Sequence, residues 1–480
     1  MQAFIEQVRG AYHRHAAPIL ALCLMKLFLQ YNAFVAGFRI LANDESCRWH
    51  MAYGWMQDPF FAPWDHVWPG GYFYLAGTWM AIFGTSFAAA KMLPICLTML
   101  SAAGFYLAGA ELFRSRFCGF IAAMLCLGGY VNTWISVSFM PEIMAISFTA
   151  WGTFLAFRGI MQDNRGALMA GSLVLGLTAS FRYEQWFLLA AWQVVLLLVL
   201  ILDRSRWRAV VVSGVLSSSY ILAWMASSWL RYGSPLAFFR NSQAVTITAE
   251  GNPAVAMFGH LMWWEGLIFT VGFAAHAAML LFGKREQRLY ALWILGFGLL
   301  FVASLKVGTA AATWRIVQGW RCTLVLMIPI LFSWLLAPRF GAGINWTVRV
   351  VVLAAALTYV GTQMEFARRP PGWEFRKDTW ALGDWLLFER NEFDAGRPEF
   401  FKDRGFDRIL LQGVGDPGRD MEDFWAVAYF LGNPNLMRVA DGAVQGDPNV
   451  IITRRDDTPA GWSEARRMGV WRLLVPAPAP

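Results

Sequence analysis

Charge is scarce in this chain. Asp, Glu, Lys and Arg make up 15% of its 480 residues, against about 25% in an ordinary soluble domain. With 57% hydrophobic residues beside that figure, a soluble globular protein is excluded and a polytopic membrane protein is implied. Cysteine is equally uninformative about cross-links. Of six cysteines, Cys23, Cys96, Cys118, Cys126 and Cys322 lie in or beside apolar runs and only Cys47 lies in a polar stretch, so neither a disulfide framework nor a metal-ligand spacing is present. No internal repeat is evident, which speaks against the paired halves common in transporters. The net charge of +8 does not imply nucleic acid, because much of the Arg and Lys sits in short loops between apolar runs, where it sets membrane topology.

What the chain has is a succession of such runs. A basic segment with Arg9, His13, Arg14 and His15 precedes a run at 16–38. This run is too long for a signal-peptide core and has no clear small-residue cleavage site, so it reads as a retained first span with its amino end inside. Lys26, Gln30 and Asn32 within it imply a face turned to protein rather than lipid. Further spans are expected at 91–112, 117–133, 143–157, 167–181, 186–202, 209–230, 261–282, 289–305, 323–337 and 348–363, about eleven in all. The segment 69–84 is apolar and aromatic but too short to cross, and fits a helix lying in the interface. With the amino end inside, the inner turns are the basic ones, at Arg114 and Arg116, Arg158 and Arg165, and Arg204, Arg206 and Arg208, as the positive-inside rule requires.

From residue 365 the composition turns polar. The division expected is a transmembrane module over 1–364, whose outer loop 39–90 carries the acidic pair and the interfacial helix, and a small extracytoplasmic α/β domain over 365–480. Within the latter, 378–393 reads as an amphipathic helix, 421–431 as helical, and 409–411, 450–453 and 470–475 as short strands. The tail at 476–480, Pro-Ala-Pro-Ala-Pro, reads as disordered.

This topology delivers polar groups from distant segments to one depth. Asp44 and Glu45, His66, Glu142, Arg182 with Glu184, and Arg315 with Arg321 all fall at outer ends of spans. Each alone has an ordinary explanation as an interfacial or snorkelling charge. Three separate acidic positions on one face point instead to a site facing a water-filled cavity.

The arrangement resembles the GT-C superfamily of membrane glycosyltransferases, which includes protein O-mannosyltransferases and lipid A aminoarabinose transferases. The likeness rests on Asn43-Asp44-Glu45 after the first span, the aromatic segment Trp64-Asp65-His66-Val67-Trp68-Pro69-Gly70-Gly71-Tyr72, and an interfacial helix closing at Phe83-Gly84. It continues with Met140-Pro141-Glu142, Phe181-Arg182-Tyr183-Glu184, and Trp320-Arg321 ahead of Pro329. Each motif is short; their order and sidedness are the specific part. Members often carry His-Pro-Pro or Lys-Pro-Pro at the aromatic segment, whereas this chain has Trp68-Pro69-Gly70-Gly71.

The resemblance implies an α-helical GT-C fold in the plasma (inner) membrane. It also implies an inverting transfer of a sugar, hexosyl or mannosyl-like, from a polyprenyl-phosphate donor to a lipid, glycan or protein acceptor on the outer side. Such chemistry explains the residue types. An attacking hydroxyl needs a carboxylate base, for which Asp44 is the first choice and Glu45 its neighbour. A leaving phosphate needs Arg, here Arg315 and Arg321. Glu142, His66, Arg182 and Glu184 are expected to position the acceptor, with Arg182 and Glu184 equally readable as a structural ion pair. No resident metal is expected, though carboxylates would bind a divalent cation if the donor carried a diphosphate. The competing class is a transporter or a flippase for lipid-linked sugars, which also buries charge in a helical bundle.

Overall fold

The computed structural model describes residues 2–40, 43–61, 68–237, 274, 276–306, 342–368, 409–412, 417–431, 437–439, 450–456, 458–468 and 470–477. Among them six helices are long and apolar enough to cross a membrane: His15–Val35, Phe87–Phe113, Pro141–Met161, Gln185–Leu202, Arg204–Tyr232 and Trp346–Glu365. Two shorter apolar helices, Arg116–Gly128 and Arg165–Thr178, pack with them. The chain is thus an α-helical polytopic membrane protein. The runs expected at 261–282 and 323–337 lie largely or wholly outside the described residues.

Helix α1 (Gln2–Val35) turns Lys26 and Gln30 inward, as expected, whereas Asn32 is half-exposed and donates to the Phe28 carbonyl of its own helix at 2.8 Å. Lys26 is fully buried and donates to the Leu127 carbonyl at 2.8 Å and the Thr133 hydroxyl at 3.2 Å, and Gln30 donates to the Ser136 carbonyl at 3.0 Å. The segment after it is a helix, α2 (Asn43–Gln57). Helix α3 (Gly71–Phe83) has 13 residues, about 20 Å of rise and so too short to cross, which fits the interfacial reading. It stops at Gly84, whose φ of +83° suits glycine. Ser86 then caps α4 (Phe87–Phe113) by accepting from the Ala89 N–H at 3.2 Å.

The span expected at 117–133 is broken in two, α5 (Arg116–Gly128) and α6 (Tyr130–Ile135), with Gly129 extended between them. Next to the break, Gly128 lies against the Val360 side chain of the helix Ala342–Arg368. Helices α7 (Pro141–Met161) and α8 (Arg165–Thr178) pack through small residues. Gly159 lies against the Leu168 backbone and Gly171 against that of Ala156, the close approach that glycine permits between membrane helices. Then follow α9 (Gln185–Leu202), α10 (Trp207–Tyr232), α11 (Arg285–Lys306) and α12 (Ala342–Arg368). An aromatic cluster of Phe157, Trp192, Tyr290 and Trp293, with ring centroids 5.3–6.0 Å apart, joins α7, α9 and α11.

The C-terminal region is a small α/β unit. Strands β1 (Ile409–Gln412), β2 (Met437–Val439), β3 (Val450–Thr453), β4 (Trp462–Met468) and β5 (Trp471–Pro476) form one sheet in the order β2-β1-β3-β5-β4. Strand β1 runs parallel to β2 and β3, and β5 antiparallel to β3 and β4. Helix α13 (Pro417–Leu431) follows β1. Its residues Ala426, Val427, Ala428, Tyr429 and Phe430 are all buried, which requires cover on more than one face; α2 and α4 supply part of it. Pro476 and Ala477, expected in a disordered tail, are instead held: Pro476 pairs with Trp462 and the Ala477 N–H donates to Gly461 at 2.8 Å. The helix expected at 378–393 lies outside the described residues.

Candidate active site at one end of the bundle

Helices α4, α7 and α9 begin at the same end of the bundle, and each brings a charged side chain in or just before its first turns: Lys91, Glu142 and Glu184. Glu45, in the first turn of α2, meets the first of these. It is fully buried, and an ionised carboxylate out of water needs compensating donors. Its Oε1 accepts from Lys91 Nζ, from the Phe139 N–H at 2.9 Å and from the Tyr429 hydroxyl at 2.8 Å. One carboxylate oxygen therefore joins α2, α4, the connection before α7, and α13.

Phe139 also links Glu45 to α3, because its carbonyl accepts from the Tyr72 hydroxyl at 3.0 Å. Burial is the main cause that pushes the Tyr72 phenol well up. Arg48 opposes it, while Glu45 and Glu142 add to it, so Tyr72 feels both acidic positions at once. Arg48 is buried, with its guanidinium 5.1 Å from the Trp68 ring and 5.9 Å from that of Tyr72.

The second half of the site centres on Arg182. Its Nη1 lies 2.5 Å from Glu142 Oε1, and its Nη2 and Nε lie 2.6 and 3.1 Å from the two oxygens of Glu184. This is a two-pronged guanidinium–carboxylate pair with a second acid on its remaining edge. Burial alone would raise the Glu184 carboxyl, but the Arg182 guanidinium outweighs it, with help from Arg48, and holds the group below its ordinary range. Glu142 is also buried. Its Oε2 is enclosed and has no hydrogen-bond partner among the described residues.

The turn carrying Arg182 is fixed by its neighbours. The Gly71 N–H donates to the Ser180 carbonyl at 2.8 Å and the Gly70 N–H to the Tyr220 hydroxyl at 3.0 Å. A Cβ on Gly71 would overlap Ser180, and one on Gly70 would overlap Tyr74. Proline has no N–H to give. At Gly70, where the pattern has its second proline, this chain uses an N–H group and space that proline would remove.

Glu45, Glu142, Arg182 and Glu184 are thus gathered at one end. Asp44 occupies the first turn of α2 next to Glu45, but its side chain lies outside the described residues, as do His66, Arg315 and Arg321. Sequence reasoning missed Lys91, Arg48 and Tyr429. Lys91 served only to mark where a span starts, and its place one turn into an apolar helix was the overlooked signal. Arg48 lies three residues after Glu45, one helical turn on. Tyr429 carries no mark in sequence. Both Glu184 oxygens and one oxygen each of Glu45 and Glu142 are taken by cationic, main-chain or hydroxyl donors, a set that does not suit a divalent cation wanting several free oxygens. Among the described residues no three His, Cys, Asp or Glu gather as a metal-holding group.

No sequence-family model matches the chain, and no curated protein matches it. Solved structures do. ArnT from Cupriavidus metallidurans bound to undecaprenyl phosphate superposes with a TM-score of 0.59 at 11% identity, over 94% of this chain and 97% of that one. The apo structure of the same protein gives 0.59 at 12% identity, over 97% and 98%. At this identity the likeness establishes the fold, which this chain shares with ArnT over nearly the whole length of both.

Proposed function

We propose, from a fold shared over nearly its whole length with a protein that binds undecaprenyl phosphate, that this chain is a membrane glycosyltransferase. It takes a sugar, hexosyl or mannosyl-like, from a polyprenyl-phosphate donor and passes it to a lipid, glycan or protein acceptor. In this reading the module 1–364 holds the site, the protein sits in the plasma (inner) membrane, and both the site and the domain 365–480 face its outer side.

The main support is the gathering of buried acids and bases at one end of a bundle whose fold, in ArnT, is found with undecaprenyl phosphate bound. A transporter would be expected to hold its charges nearer the midplane. In the transfer, the acceptor hydroxyl gives its proton to a carboxylate, its oxygen bonds to the anomeric carbon from the face opposite the phosphate, and the carbon–oxygen bond to phosphate breaks. The phosphate leaves with the bonding electrons and the sugar inverts.

Asp44 is assigned as base. Glu45 is already held by Lys91, Phe139 and Tyr429, so it acts by fixing the first turn of α2 on which Asp44 sits. Arg182 is engaged by Glu142 and Glu184 and positions the acceptor through Glu142 Oε2. In formal charge Asp44, Glu45, Glu142 and Glu184 already outnumber Arg48, Lys91 and Arg182. A leaving phosphate therefore needs cations from outside this cluster, and Arg315 and Arg321 are assigned to it, with His66 as a hydrogen-bonding group.

The test is to offer the purified protein labelled polyprenyl-phosphate sugars with an extract of membrane lipids and glycans, comparing wild type with Asp44→Asn. A labelled product formed by wild type and reduced by about 10²–10⁴-fold in the variant, the usual weight of a general base, is expected. Equal transfer by Asp44→Asn removes Asp44 as base, and labelled donor crossing sealed vesicles with no product identifies a transporter instead.

A further inference from the structure

Helix α4 links the site to a second charged region. From Lys91 to Arg114 it rises about 35 Å, the thickness of a membrane core, and at that far end a cavity of about 1090 Å³ opens between α1, α4 and α7. None of the residues assigned to sugar transfer lines it.

Its wall divides by chemistry. The floor is apolar, with Ile19 on α1 and Leu107 on α4, and Leu20 at its edge is 59% exposed, facing where acyl chains would lie. The rim carries His15, Arg114, Arg116 and Arg158 against one acid, Glu111. That acid is already engaged, since Gln162 donates to it at 2.5 Å while accepting from Arg158 Nε at 3.2 Å. Among the described residues Arg114 and Arg158 enter no ion pair within 4.0 Å, although other arginines here do. No described carboxylate therefore neutralises either charge at the cavity, where Arg158 also lies over the Phe154 ring at 5.6 Å.

Arg114 also stands in an unfavourable backbone state. It ends α4 with φ of +48° and ψ of 36°, a left-handed position at which glycine or asparagine usually serves. Only Arg114 and Asp163 have positive φ among the described non-glycine residues. Such strain persists where the side chain has a use, and here the arginine points a cation at the mouth of an apolar cleft.

We propose that this cleft binds an anionic glycerophospholipid of the leaflet opposite the transfer site. The phosphate sits against Arg114, Arg116 and Arg158, and the acyl chains run along α1 and α4. An apolar floor beneath a cationic rim fits a lipid headgroup, whereas a soluble anion would leave the floor unused.

The test is native mass spectrometry of the full-length protein from nanodiscs of phosphatidylcholine with and without phosphatidylglycerol. Wild type should keep one phosphatidylglycerol under conditions that strip phosphatidylcholine. R114Q/R116Q/R158Q should lower its retention about a hundredfold, the effect of three arginines beside an anionic headgroup. R165Q/R208Q, basic turn residues outside the cleft, should retain it. Equal loss in both variants, loss in neither, or displacement of the lipid by excess inorganic phosphate overturns the assignment. Should the triple variant fail to fold, photoactivatable phosphatidylglycerol on wild type decides: label confined to peptides of α1, α4 and α7 around the cleft supports the site, and label spread evenly around the bundle refutes it.

Discussion

Tyr429 in the C-terminal unit donates its hydroxyl to Glu45 Oε1 at 2.8 Å, across 384 positions of sequence. Burial first, and Glu45 second, push the Tyr429 phenol well up, so the hydroxyl keeps its proton and remains a donor. The ring packs edge-on against Trp49 at 5.6 Å and Phe87 at 5.2 Å, which places it in α2 and α4 as a plug with a polar tip. The small domain is thus part of the wall of the candidate site.

Tyr429→Phe keeps the plug and removes the tip. Leaving a buried carboxylate with one donor fewer costs about 1–3 kcal/mol, so the thermal midpoint should fall while the protein stays folded. If Tyr429→Phe and wild type melt together, the hydroxyl does not support Glu45.

The Lys91–Glu45 pair is buried on both sides. Lys91→Met strands the carboxylate, at about 3–5 kcal/mol, whereas Lys91→Met with Glu45→Gln removes both charges and should lose less than the sum of the single changes. A double-mutant cycle on thermal stability measures this, and additivity within error would show the two groups to be uncoupled.

Gly71→Ala should destabilise by about 1–3 kcal/mol, the usual cost of overpacking. The added methyl meets the main-chain oxygen of Ser180 as well as its side chain, so rotating Ser180 gives no relief. Because Ser180 leads into Arg182, transfer activity should fall as well; a variant with unchanged melting and unchanged activity would contradict the packing.

Glu464 on β4 accepts from Arg467 and Arg472, whose hydrogen bonds hold its carboxyl at about 2 against an ordinary 4.5. A depressed folded value stabilises the fold fully above 4.5. That contribution erodes as pH falls from 4.5 towards 2 and is gone below it. Acid titration of near-ultraviolet circular dichroism should therefore show the sheet loosening over this window, and Glu464→Gln should weaken that dependence by removing the titrating group.

Much of the bundle was legible because its signals are local. Long apolar runs and basic turns mark helices and their ends, and α4, α7, α9 and α10 lie within a few residues of where those signals place them. The acids Glu45, Glu142 and Glu184 were legible for the same reason: each stands at a span end. Arg182, partner of the last two, was legible with them; the partners of Glu45 were not. Lys91 pairs with Glu45 because α4 begins four residues earlier than hydropathy suggests, at a Ser86 cap. Strand β4, Trp-Ser-Glu-Ala-Arg-Arg-Met, escaped notice because an edge strand rich in charge has little apolar alternation to reveal it. Tyr429 reaches Glu45 only through tertiary folding, which no window of sequence contains.

The span between Glu45 and Tyr429 also sets a clock. Translation at 5–20 residues per second places roughly 20–80 s between the emergence of the two. Throughout that interval the carboxylate lacks its hydroxyl, and α2 and α4 lack their aromatic cover. A chain interrupted before residue 417 would leave Glu45 Oε1 without that donor and Trp49 and Phe87 without the Tyr429 ring.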